Sequence, residues 1–198
     1  MITGTKAAAS ALLFVLAACT AAPMIPNVPL LVQANGDPSG SCVIIAPGWG
    51  LTAKHVLPVL TARNFGLVGP IILHPRLDLA LIQIRGARGE VPIADKAPEF
   101  GDALRALGWH LGRMALITEG RQGLQPGTMS CPISPGCSGG AVYNTAGELV
   151  GVIRQVSLIA VQDMINGGRT PYAVPVPHMA GYTLLTPEVQ DWIRAATR

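Results

Sequence analysis

Charge is scarce in this chain: only 13% of its 198 residues are Asp, Glu, Lys or Arg. The fourteen Lys and Arg are scattered, with no basic run and no interleaved aromatics. A net charge of +3 spread in that way describes a solvated surface, so no nucleic-acid partner is expected. No internal repeat is visible. The four cysteines and four histidines have spacings that suit no zinc pattern, so neither a metal nor an organic cofactor is expected. A long hydrophobic run is missing too. Ala7 to Ala18 carries no charge, but it is too short to span a bilayer as a helix. What is plentiful is glycine and proline, 23 and 17 residues, which disfavours long helices and favours many short strands joined by turns.

The N-terminus reads as a targeting segment. Lys6 supplies a positive region ahead of the apolar stretch, so residues 1–18 are expected to be a signal peptide. Leu16-Ala17-Ala18-Cys19 then resembles the lipobox of bacterial lipoproteins, which implies lipidation of Cys19. A plain secretory signal or an uncleaved anchor is the alternative, although Leu16 would occupy the outer small site of an ordinary cleavage motif. Acyl chains, at about 0.8 kcal/mol per buried CH₂, would hold the protein on a membrane in the bacterial cell envelope. Residues 19–35 then read as the lipidated Cys and a proline-rich tether. Of the remaining thiols, Cys131 and Cys137 are neighbours in sequence. A bridge there would contribute about 2–2.5 kcal/mol, but a pair involving Cys42 is equally open.

From Gly40 onward, apolar β-rich runs are broken by Gly and Pro about every ten residues. One set comprises Cys42 to Ala46, Gly66 to Leu73 and Leu79 to Ile84. A second comprises Ala103 to Leu107, Met114 to Thr118, Ala141 to Tyr143, Leu149 to Ile153 and Tyr172 to Val176. Between them, 87–100 has the composition of a connection. The spacing thus predicts an all-β body, an antiparallel barrel or sandwich, in two parts at 36–97 and 98–185. A helix should follow at 186–198, opened by Thr186-Pro187-Glu188 and apolar at Val189, Trp192, Ile193 and Ala196. A partner-binding amphipathic helix is the other use of such a pattern.

Three short motifs carry chemistry. Ser138 lies in Gly136-Cys137-Ser138-Gly139-Gly140. A hydroxyl at neutral pH needs a base within reach to become a nucleophile. His55, after Leu51-Thr52-Ala53, offers an imidazole that can serve as that base. Asp78 opens the run Asp78-Leu79-Ala80-Leu81-Ile82 and can orient an imidazole. Glycine at 136 lets the backbone N–H groups of Gly136 and Ser138 converge as an oxyanion hole. Glycines 139 and 140 leave room for substrate and for the turn.

Taken in this order, the motifs resemble the trypsin/chymotrypsin-like serine protease superfamily, closest to the bacterial HtrA-type branch without a PDZ segment. The resemblance implies two antiparallel six-stranded β-barrels packed together, with a C-terminal α-helix on the second. It implies a serine endopeptidase acting on a protein or peptide substrate through an acyl-enzyme, with His55, Asp78 and Ser138 as its triad. The alternatives are a protease-fold lipoprotein that binds with weak or no catalysis, and a structural lipoprotein.

Departures from the family are specific. Cys137 stands where trypsin-type enzymes have Asp and HtrA-type enzymes Asn, which argues against activation by a newly cut N-terminus. A Cys137 nucleophile is a rival reading, opposed because adjacent side chains point apart at a sharp turn. Spacings of 23 and 60 positions between the three residues leave only short loops and an open cleft. Pro132 to Ser134 contain no carboxylate, so a small or medium apolar side chain is favoured over Arg or Lys in the substrate. The sequence carries no signal for an oligomeric state.

Overall fold

The computed structural model describes residues 28–59, 61–63, 66–161 and 172–198. The expected signal peptide and Cys19 lie outside the described residues. Among these described residues, thirteen strands form two sheets and one α-helix follows them.

The first sheet contains β1 (Leu30–Val32), β2 (Pro38–Ser41), β3 (Val43–Ala46), β4 (Trp49–Thr52), β5 (Thr61–Ala62), β6 (Gly66–Leu73) and β7 (Ala80–Ile84). Its order is β2-β1-β5-β6-β7-β4-β3. Strands β2 and β3 sit at opposite ends of that order, yet only Cys42 separates them in the chain. One bent strand therefore supplies both edges, so the sheet closes on itself and exposes no long free edge. Counting β2 and β3 as one bent strand leaves six, as a six-stranded barrel requires.

The second sheet contains β8 (Ala103–His110), β9 (Met114–Arg121), β10 (Thr128–Met129), β11 (Ala141–Tyr143), β12 (Leu149–Val161) and β13 (Tyr172–Leu184). Its order is β10-β13-β12-β11-β8-β9. Closure comes from Gln122, which bridges to Met129, and from the Ser130 N–H, which donates to the Arg121 carbonyl at 2.9 Å. The fold is thus the all-β, two-barrel chymotrypsin-like architecture.

Two boundaries move from where the sequence put them. The tether expected over 19–35 ends earlier, because Leu30–Val32 pairs with both β2 and β5. Leu30 and Leu31 are fully buried; the apolar run outweighs the proline-rich composition around it. The connection at 87–100 is held down at its centre: the Leu149 N–H donates to the Pro92 carbonyl (2.7 Å) and the Ala94 N–H to the Leu149 carbonyl (3.0 Å).

Helix α1 (Pro187–Ala196) starts at Thr186 in extended backbone, with proline in its first turn. The Thr186 side chain caps no helix N–H. A hydrogen bond from Thr186 instead holds the exposed Glu188 carboxyl below its ordinary value. Val189 and Ile193 are buried, as the spacing predicts. Their cluster joins Val43, Leu51 and Leu81 of the first barrel to Leu107 and Val152 of the second. The helix therefore seals a core shared by both barrels, not the second alone. Each such aliphatic side chain contributes about 1.5–3 kcal/mol when fully buried, so this shared cluster locks the barrels together and fixes the cleft between them.

Candidate active site

His55 lies in a short 3-10 helix, Lys54–Val56, directly after β4. Its ring Nδ1 is 2.7 Å from Asp78 Oδ2, and its backbone N–H donates to Asp78 Oδ1 at 3.0 Å. A carboxylate only accepts, so Nδ1 carries the proton and Nε2 is left with a free lone pair. The two bonds together fix the ring orientation, because one carboxylate grips both main chain and side chain. His55 remains about half exposed, 48% at its side chain.

Asp78 is presented by the turn before β7, and His74 organises that turn. His74 Nδ1 accepts hydrogen bonds from the N–H groups of Arg76 (3.2 Å) and Leu77 (3.0 Å). The main-chain N–H of His74 donates to the Leu79 carbonyl at 2.9 Å. An imidazolium could not accept those bonds. Burial, with Arg76 and Lys54 adding repulsion, pushes the His74 pKa below its ordinary value. The ring also meets Trp192 of the C-terminal helix edge-on, with centroids 4.8 Å apart. Taken by sequence context alone, a surface or satisfied core role suffices for His74. Its place four residues before Asp78, ahead of a proline, was the available signal.

The loop Pro135–Gly140 carries Ser138, and its backbone is pinned peptide by peptide. The Pro135 carbonyl accepts from Leu111 N–H (2.8 Å) and the Cys137 carbonyl from Gly140 N–H (2.9 Å). The Gly136 carbonyl accepts from the Ser41 hydroxyl (2.9 Å). The Ser138 carbonyl accepts from Ser41 N–H (2.7 Å). Among the amides, Cys137 N–H donates to Ser134 and Gly139 N–H to Ile153. Among the described residues, the N–H groups of Gly136 and Ser138 have no intramolecular partner. Those are the two donors that an oxyanion hole needs.

Glycine at 136 and 139 is required by conformation and space together. Both have positive φ, +91° and +84°. A Cβ would land on the Trp109 carbonyl at the first and on the Ser41 carbonyl at the second. Around Gly139 the room expected for substrate is thus filled by the protein's own backbone.

The Ser138 hydroxyl donates to the Arg154 carbonyl at 3.4 Å. Among the described hydrogen bonds none joins Ser138 to His55. The structure therefore brings His55 and Asp78 together and leaves Ser138 turned toward β12.

The cysteines differ from expectation. Cys42, Cys131 and Cys137 are all buried free thiols. Cys131 Sγ points to the Leu104 carbonyl (3.7 Å), while Cys137 Sγ lies 3.6 Å from Ser134 Oγ. With different partners the Cys131–Cys137 bridge does not form. Burial pushes the Cys131 thiol up to about 11 and raises those of Cys137 and Cys42 as well. Cys137 is 1% exposed and packs in the second barrel's core. A buried, protonated thiol is a poor nucleophile.

Among the described residues no group of three or more His, Cys, Asp or Glu is placed to hold a metal, and no helix is long and apolar enough to cross a membrane. A cleft of about 950 Å³ lies over β11, β8 and β9, lined by Arg105, Ile117, Glu119 and Tyr143 among others. It includes none of His55, Asp78 and Ser138.

Two barrels that meet at a carboxylate-bound histidine and a glycine-pinned serine loop are the layout of a trypsin-like serine protease. The chain belongs to the trypsin-like peptidase domain family, whose model matches residues 40–152. It is 32% identical over 163 residues to the serine endoprotease DegS of Escherichia coli K12, an alignment covering 69% of this chain and 44% of that protein. DegS of Salmonella typhimurium matches with the same identity and coverage. The chain thus spans less than half the length of these curated relatives. Among solved structures, the serine endoprotease from Yersinia pestis shares the fold with a TM-score of 0.63 at 22% identity, over 86% of this chain and 62% of that one. The Rv3671c protease of M. tuberculosis, in an inactive form, shares it with a TM-score of 0.60 at 17% identity, over 86% and 88%.

Proposed function

We propose that this protein is a serine endopeptidase that cleaves peptide bonds through an acyl-enzyme. The observation that carries the reading is the pairing of an oriented His55–Asp78 couple with two unused amide donors at Gly136 and Ser138. In the attacking step Ser138 Oγ forms a bond to the scissile carbonyl carbon, and its proton passes to His55 Nε2. The oxyanion accepts hydrogen bonds from Gly136 N–H and Ser138 N–H. Collapse breaks the C–N bond, and the departing amine takes the proton from His55. Water then adds to the ester, with His55 again holding the proton, and releases the acid and the free Ser138 hydroxyl. Asp78 keeps the Nδ1 proton in place and stabilises the imidazolium.

For this to start, the Ser138 hydroxyl must exchange the Arg154 carbonyl for His55 Nε2. The same observation favours a second reading, a binding protein whose serine stays with Arg154 and whose catalysis is weak or lost. Labelling with a fluorophosphonate probe separates them. One adduct by intact mass, absent in Ser138→Ala, is expected of the enzyme. No adduct on the folded protein would overturn the enzymatic reading.

The N-terminal reading belongs to the same proposal. Residues 1–18 serve as a signal peptide and Cys19 as the lipidated residue that places the barrels at a membrane of the cell envelope, with secretion as the alternative. Incorporation of labelled palmitate that is lost in Cys19→Ala is the expected result. Equal incorporation in both, or none in either, would overturn it.

A further inference from the structure

Ser41 is fully buried at the end of β2, and no chemistry in the mechanism above uses it. Its contacts nevertheless converge on the nucleophile loop from the opposite barrel. The hydroxyl donates to the Gly136 carbonyl (2.9 Å) and accepts the Trp109 N–H (3.0 Å). The main-chain N–H donates to the Ser138 carbonyl (2.7 Å). The carbonyl accepts the Thr52 hydroxyl (2.7 Å), which ties Ser41 to the strand that leads into His55.

Of the four carbonyls from Pro135 to Ser138, two are therefore held by Ser41 alone. The Gly136 carbonyl is the critical one. Gly136 has φ +91°, a conformation that glycine leaves easily because it has no Cβ to restrict rotation. The Gly136 carbonyl belongs to the peptide unit between the two that carry the Gly136 N–H and the Ser138 N–H. Those two are tied through the Pro135 carbonyl to Leu111 and the Cys137 carbonyl to Gly140. With the Gly136 carbonyl released, the central unit would keep only its bond from Cys137 N–H to Ser134, and the link that sets the two donors' mutual direction would loosen. A hole whose donors must reorganise during reaction forfeits most of its advantage, since its effect comes from donors already aimed at the developing charge.

We propose that Ser41 is a positioning residue for the oxyanion hole: its buried hydroxyl, carried by the histidine-bearing barrel, holds the Gly136 carbonyl so that the N–H groups of Gly136 and Ser138 stay aimed at one point. The proposal rests on the hydrolase reading. It adds a coupling, because the residue that aims the hole belongs to the barrel that supplies His55 and Asp78. The hole is complete only when the two barrels are docked.

The test uses the full chain and a fluorophosphonate probe. Labelling forms a bond from Ser138 Oγ to phosphorus, expels fluoride and sends the hydroxyl proton to His55, so its rate depends on the hole. Saturation kinetics separate the limiting rate from the half-saturating concentration. Ser41→Ala should lower the limiting rate by about 10²-fold with the half-saturating concentration within twofold. Ser41→Cys, which keeps the shape with a weaker donor, should fall between the two. Ile44→Val, a one-methyl trim in the same barrel's core, should lower thermal stability without changing the limiting rate. A limiting rate in Ser41→Ala equal to that of the parent would overturn the proposal. If Ser41→Ala does not fold, Ser41→Cys decides: a lower limiting rate supports the proposal and an unchanged one overturns it. A parent protein that is folded yet unlabelled would sink the hydrolase reading and this proposal together. A labelled parent with an equally labelled Ser41→Ala sinks this proposal alone.

Discussion

In the proposed site, the first barrel's two residues are joined by hydrogen bonds, and the second barrel's serine is bonded elsewhere. His55 and Asp78, 23 positions apart, are joined by two hydrogen bonds, 2.7 and 3.0 Å. Ser138 has its carbonyl held by the Ser41 N–H, yet its hydroxyl rests on the Arg154 carbonyl at 3.4 Å. The difference reflects what each part needs. A base is useful only if its tautomer and direction are set beforehand, and short-range contacts do that. A nucleophile has one free torsion, so its backbone can be rigid while its oxygen chooses a partner. Weak bonding to Arg154 is easily exchanged for a better acceptor, and a neutral hydrogen bond contributes only about 0.5–1.5 kcal/mol net.

Substitutions at the two halves should break this comparison to different depths. The deepest loss is expected for Ser138→Ala, about 10⁴–10⁶ in turnover with the fold intact, measured by peptide hydrolysis and circular dichroism. Next is Asp78→Asn. An amide in place of the carboxylate can offer an N–H to Nδ1, favour the wrong tautomer and turn the free Nε2 into a donor. A loss of about 10⁴ in turnover is expected; activity within tenfold of the parent would mean that backbone contacts alone orient His55.

A smaller effect concerns His74, which stands behind Asp78. Its folded pKa lies below the ordinary 6.5, so near neutrality and above neither folded nor unfolded chain is protonated there, and the group is silent. As the pH falls below about 6.5 the unfolded chain takes up a proton that the folded chain resists, and stability declines. The slope from this one group is at most about 1.4 kcal/mol per pH unit. Lys54 and Arg76 are the charges that oppose protonation in the folded state. His74→Asn keeps an acceptor for the Arg76 and Leu77 N–H groups but cannot titrate. Urea unfolding at pH 5 and pH 7.5 should show a shallower pH dependence in this variant; an identical dependence would remove His74 from the explanation.

The smallest effect is expected for Cys137→Ser. The thiol is buried and protonated, and a serine hydroxyl could turn to Ser134. Turnover should stay within a few-fold of the parent, with stability lower by about 1–2 kcal/mol for a hydroxyl placed in an apolar cluster. A loss as deep as that of Ser138→Ala would reassign the nucleophile.

Much of this molecule was determined by sequence alone. The apolar runs at Gly66–Leu73 and Ala141–Tyr143 became β6 and β11 with the expected bounds. Pro187 and the spacing of Val189 and Ile193 placed the helix and its buried face. The settings of His55, Asp78 and Ser138 were likewise written in a few adjacent residues, because strand, turn and helix preferences are local. Only the tertiary structure decided the rest. Leu30–Val32 looked like tether until its leucines met β2 and β5. Cys131 and Cys137 looked like neighbours until packing aimed their sulfurs at different partners. Ser41 carried no motif that ranked it above any other serine, since its meaning lies 95 residues away at Gly136. Nor could the sequence say which way the Ser138 hydroxyl turns. Contacts of that separation exist only after two barrels have closed and docked on a shared aliphatic core, and no local pattern encodes which groups will then face each other.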